Sequence, residues 1–124
     1  MSNIVHVTGV NDYLAKIKGE QRVIVVDFSA SWCGPCKTLG VLLDQLSQKY
    51  DQEILILKID VDEDGKLDPE NQLSSIFQVK SLPTICFVKD GQFQQGEDYR
   101  IVGFNQNRLL WCLSSLTGQN ITAF

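Results

Sequence analysis

The chain has 124 residues, enough for one ordinary hydrophobic core and too few for two. Hydrophobic residues make up 44% and charged residues 21%, which excludes disordered, collagen-like and low-complexity classes. A net charge of −4 argues against a general phosphate-backbone binder, and no apolar run is long enough to span a membrane.

In chain order, residues 4–7 predict a strand and 12–18 a short helix. Val23-Ile24-Val25-Val26-Asp27-Phe28 is nearly continuously apolar, as expected of a central strand covered on both faces. Residues 35–50 predict the longest helix, with Leu39, Leu42, Leu43, Leu46 and Tyr50 forming one stripe. A second buried strand is expected over 54–59, then a long polar stretch to Pro69 and a modest helix over 70–78. Residues 84–89 read as a strand, Asp90-Gly91 as a hairpin turn, and 99–103 as the returning strand. A last helix over 106–116 places Leu109, Leu110, Cys112, Leu113 and Leu116 on one arc, with Trp111 and Ser114 turned away. The order βαβαβαββα predicts an α/β sandwich with a mixed central sheet and helices on both faces. One domain over 1–124 is expected, with 118–124 as a C-terminal tail and no linker or internal repeat.

The chemistry concentrates in Trp32-Cys33-Gly34-Pro35-Cys36-Lys37, between the first buried strand and the long helix. This placement puts Cys33 at a helix N-terminus, where free N–H groups and the helix dipole favour a thiolate. Pro35 suits the first helical turn, and Cys36 lies one turn in, on the face of Cys33 and within reach of a disulfide. Zinc is the other use of a close cysteine pair, but only Cys86, Cys112 and His6 stand as distant additions. Cys86 and Cys112 read as core fillers and His6 as a surface residue of an edge strand. Asp27 closes a run of four Val and Ile residues, so burial is expected to raise its pKa and make it a usable proton carrier. Lys58 closes the next apolar run and is a candidate partial counter-charge.

This segment resembles the active site of the thioredoxin family at every position of Trp32-Cys33-Gly34-Pro35-Cys36, with Asp27 and Phe28 preceding it as in the family. Ser81-Leu82-Pro83-Thr84 resembles the family's cis-proline loop, and Val102-Gly103-Phe104 the loop that completes its substrate groove. The resemblance runs over about 4–116 and implies the thioredoxin-like three-layer sandwich. It implies thiol–disulfide exchange, with Cys33 as nucleophile, Cys36 as resolving thiol, Asp27 as proton carrier, and Lys58 and Pro83 in support. Trp32, Gly34, Pro35, Leu82, Pro83, Val102, Gly103 and Phe104 are the implied docking surface. The Gly-Pro pair between the cysteines is similar to that of the strongly reducing members, so a protein-disulfide reductase is expected. The implied partners are disulfide-containing proteins and thioredoxin reductase, which would hold the NADPH and FAD. This chain is expected to bind no cofactor, metal, nucleic acid or membrane, and to be a cytoplasmic monomer. The first seven residues show no basic or apolar region of a secretory signal, in keeping with that location.

Two departures stand out. Val41 occupies the position where family members often carry a helix-kinking proline, which predicts altered curvature. The stretch 60–83 is longer than typical, the one feature favouring the alternative of a binding subunit whose redox activity is incidental. Within it Asp60, Asp62, Asp64, Gly65 and Asp68 match calcium-loop positions 1, 3, 5, 6 and 9, but Asn71 stands at position 12 and a strand precedes the loop. A solvated acidic loop is the simpler expectation.

Overall fold

The computed structural model describes residues 3–64, 66 and 72–123. Its strands are β1 (Ile4–His6), β2 (Val23–Ser29), β3 (Ile54–Asp60), β4 (Thr84–Lys89), β5 (Gln92–Phe93) and β6 (Ile101–Val102). The helices are α1 (Val10–Ile17), α2 (Gly34–Lys49), α3 (Leu73–Ile76) and α4 (Gln106–Thr117).

The two near-continuous apolar runs occupy the middle of the sheet, where both faces are covered. The strand order is β1-β3-β2-β4, with β1, β3 and β2 parallel, β4 antiparallel to β2, and β5 and β6 both against the far edge of β4. Side chains alternate between two apolar layers. Val23, Val25, Ile54, Ile56, Ile85 and Phe87 face the leucine stripe of α2 and the arc of α4. Ile24, Val26, Phe28, Leu55, Leu57 and Ile59 face Tyr13 of α1 and Leu73 of α3. The expected three-layer α/β sandwich is therefore the observed one.

Four expectations need correction. The return strand is broken. Val88 pairs with Phe93 and Ile85 with Ile101, so three steps along β4 match eight along the return and five residues bulge out. The bulge holds a 3-10 turn at Glu97–Tyr99. Arg108 fastens it by donating to the carbonyls of Glu97 at 3.0 Å and Asp98 at 2.6 Å, while Tyr99 packs between Phe87 and Trp111. The helix expected over 70–78 is only Leu73–Ile76 among the described residues; Glu70 and Asn71 lie outside them. The first helix begins earlier than expected, at Val10 rather than residue 12. Ser114 does not turn away to solvent: its hydroxyl accepts the Ile121 N–H at 3.0 Å.

The Asp90-Gly91 turn is as predicted, with φ of 52° and 74°, the paired left-handed conformation that two-residue hairpins need. α2 runs unbroken through Gly40 and Val41. Beyond α4 the chain folds back instead of leaving the surface: Ile121 is buried, and the Thr122 N–H donates to Tyr50 Oη at 3.0 Å.

Candidate active site

β2 ends at Ser29, and the chain turns through 30–33 into α2. Cys33 is the N-cap of this helix, and its Sγ accepts the Cys36 N–H at 3.3 Å. A sulfur that satisfies an orphan helix donor is placed where the dipole stabilises negative charge. Pro35 sits in the first turn, where its missing N–H leaves no gap. Cys33 and Cys36 are disulfide-bonded with Cα atoms 5.3 Å apart, and both are largely buried against Ala30, Val61 and Leu82.

Asp27 lies beneath α2. Its parity along β2 puts it on the face of Val23 and Val25, the face α2 covers. It is 1% exposed, and its Oδ1 has no hydrogen-bond partner among the described residues. Burial pushes its pKa up to about 6, and the Lys58 ammonium opposes that rise only in part. Lys58 is its register partner on β3, and His6 is the register partner of Lys58 on β1. One row of side chains therefore crosses three strands from the exposed edge to the buried carboxyl. A pocket of about 180 Å3 opens beside this row, reaching Cys36 past His6, Ser29, Lys58 and Asp60. His6 is exposed as expected, but it also forms part of the rim of this pocket.

The remaining predicted residues gather around the disulfide to different degrees. Trp32 is 69% exposed, and Gly34 and Pro35 are exposed beside it. Leu82 packs on the cysteine pair, and the Leu82–Pro83 bond is cis. Pro83 is buried, so its ring is not part of the open surface; its carbonyl accepts the Gly103 N–H at 2.8 Å. That bond ties the Pro83 loop to the 102–104 turn, where Gly103 has φ of 84°. Val102 and Phe104 flank it as exposed apolar residues.

Sequence reasoning missed two aspartates. Asp62 accepts the Trp32 Nε1–H at 2.9 Å and so orients the indole at the mouth of the site. Asp64, expected in a solvated or calcium-binding loop, is buried. Its carboxylate accepts from Leu73 N at 3.0 Å and from Ser74 N and Oγ at 2.8 Å each, capping α3. A carboxylate so occupied is not a free ligand; Gly65, Asp68 and Asn71 of the calcium-loop pattern lie outside the described residues. No cluster of three or more His, Cys, Asp or Glu arranged for a metal occurs among the described residues, and no described helix is long and apolar enough to cross a membrane. Cys86 and Cys112 are buried, and burial pushes each thiol up to about 11.

The Thioredoxin family profile matches residues 4–112, including every element just described from β1 to the body of α4. The chain belongs to the thioredoxin family. It is 37% identical over 91 residues to the thioredoxin of Ictalurus punctatus, covering 72% of this chain and 79% of that protein. Thioredoxin-T of Drosophila melanogaster is 36% identical over 93 residues, 75% of this chain, and the match spans only about half of that relative, 53% of its length. Among solved structures, Fasciola hepatica thioredoxin superposes with a TM-score of 0.77 at 26% identity, covering 90% of this chain and 98% of that one. Thioredoxins are thiol–disulfide oxidoreductases that carry no cofactor, and the Cys33–Cys36 pair here supports the same dithiol–disulfide exchange.

Proposed function

We propose that the protein is a protein-disulfide reductase that transfers two electrons from the Cys33–Cys36 dithiol to disulfides in other proteins. The observation that carries this reading is Cys33 at the N-cap of α2, with the Cys36 N–H on its sulfur and a buried carboxyl under the same helix. The Cys33 thiolate attacks one sulfur of the partner disulfide; a Cys33–partner bond forms and the other partner sulfur leaves as a thiolate. Cys36 then gives up its proton to the Asp27 carboxylate, directly or through water. The Cys36 thiolate attacks Cys33 Sγ, expelling the second partner thiolate and leaving the Cys33–Cys36 disulfide. Asp27 suits this step because a pKa near 6 lets it accept a proton at neutral pH more readily than an ordinary aspartate. Trp32, Gly34, Pro35, Leu82, Val102, Gly103 and Phe104 offer the docking surface, with Pro83 holding the 102–104 turn and Lys58 the charge of Asp27.

Re-reduction is assigned to a flavoprotein thioredoxin reductase drawing on NADPH. A cytoplasmic, reducing setting belongs to the same reading, supported by two thiols buried in the core and a third and fourth used as an exchange couple rather than a staple. Equilibration of the couple against a dithiol buffer tests it. A potential of about −270 mV, the thioredoxin value, is expected; about −180 mV, the isomerase value, would overturn the reductive assignment.

A further inference from the structure

A groove of about 530 Å3 begins one residue past Cys36 and runs along α2, with walls at Lys37, Val41, Gln45, Phe104, Gln106 and Ala123. Val41 is 62% exposed and Phe104 41% exposed. Val41 lies off the leucine stripe that packs on the sheet, so this β-branched residue gives the helix neither core contact nor strong propensity. The third wall is the C-terminal segment, and it is fastened: Ile121 is buried, its N–H donates to Ser114 Oγ at 3.0 Å, and the Thr122 N–H donates to Tyr50 Oη at 3.0 Å. The groove is thus preformed. Lys37 at its near end is exposed and makes no ion pair among the described residues.

Its place along the helix sets what can reach it. The rise of about 1.5 Å per residue puts Val41 about 12 Å from Cys33 along the axis. A partner chain joined to Cys33 in the mixed disulfide, extended at about 3.4 Å per residue, spans that with its third or fourth residue. We propose that this groove selects disulfide partners by the side chain three or four residues from the attacked cysteine. It takes an apolar side chain between Val41 and Phe104, with a carboxylate nearer the cysteine opposite Lys37. The groove lies on the α2 side of the disulfide and meets the docking surface above at Phe104. The proposal rests on the reductase reading.

The test uses cysteine peptides activated as mixed disulfides with nitrothiobenzoate. Attack by Cys33 on the peptide sulfur releases the coloured thiolate, and Cys36 then frees the peptide thiol. Peptides carrying leucine or serine three or four residues from the cysteine, in N-terminal and C-terminal placements, are compared in single-turnover reactions with the reduced full chain, KM being the half-saturating peptide concentration. In one placement leucine is expected to lower KM about tenfold relative to serine, and Val41→Glu to collapse that ratio to within about twofold. Equal KM for leucine and serine in both placements, or a leucine preference that survives Val41→Glu, overturns the groove. Failure of the wild-type chain to reduce even the small bis-nitrobenzoate disulfide overturns the reductase reading, and this proposal with it.

Discussion

Replacing Asp27 by Asn removes a buried charge while keeping the shape of the side chain. In the folded protein burial pushes the Asp27 pKa from an ordinary 3.8 to about 6, with Lys58 offsetting part of the rise. A raised folded-state pKa means that the native state holds the proton more tightly than the unfolded chain. The stability linked to this group is therefore full below about pH 4 and is lost as pH rises from about 4 to about 6. Two pKa units correspond to about 3 kcal/mol, the penalty the native carboxylate carries at neutral pH. Asp27→Asn lacks that penalty. Its stability relative to wild type should accordingly rise by about 3 kcal/mol between pH 3.5 and pH 7.5, or by about 10 °C in Tm for a domain of this size. Guanidinium denaturation of both oxidised proteins at the two pH values measures the change. The change with pH isolates ionisation from whatever the new amide costs by itself. A relative stability that does not move with pH, or that falls, would refute the buried ionisable carboxyl. The same variant should resolve mixed disulfides at least about tenfold more slowly at neutral pH, because Cys36 has lost its proton acceptor.

Cys36→Ser should form a mixed disulfide with a partner and keep it, visible as one added mass per chain, while Cys33→Ser should form none; equal trapping by both would reverse the assigned order of attack. In the reduced protein at pH 8, two thiols should react rapidly with an aromatic disulfide and the other two only on unfolding, because burial holds Cys86 and Cys112 near 11. Four fast equivalents would contradict the buried positions of that pair. Asp64→Ala strips α3 of the acceptor for Leu73 N and Ser74 N and should cost about 2–3 kcal/mol by denaturant titration; a loss below about 0.5 kcal/mol would show that the cap carries little.

Some of this protein is decided by local sequence alone. The Val/Ile run at 23–26 and the Ile/Leu run at 54–57 make central strands wherever a sheet forms, and the leucine stripe of 39–46 makes a helix with one buried face. Trp32-Cys33-Gly34-Pro35-Cys36 places a nucleophile at a helix start because its glycine, proline and cysteine spacing act within one turn. Asp90-Gly91 makes a hairpin because both residues tolerate positive φ.

Other features need partners that are distant along the chain, and short-range patterns do not encode them. Asp64 reads as one more acid in a polar loop until the fold brings the N-terminus of α3 to it, nine residues later. Asp62 meets Trp32 across thirty residues. The five-residue bulge in the return strand depends on Arg108 reaching back from α4 to the carbonyls of Glu97 and Asp98. Sheet register alone sets His6, Lys58 and Asp27 side by side, since a slip of one residue would send each to the opposite face. The C-terminal wall of the groove along α2 is set by Ser114 and Tyr50, which hold Ile121 and Thr122 in place beside Ala123. Sequence determined which groups can do the chemistry, because reactivity at a helix start is a local property. Tertiary structure decided their depth, charge and approach, because desolvation and surface shape depend on whatever else the chain packs around them.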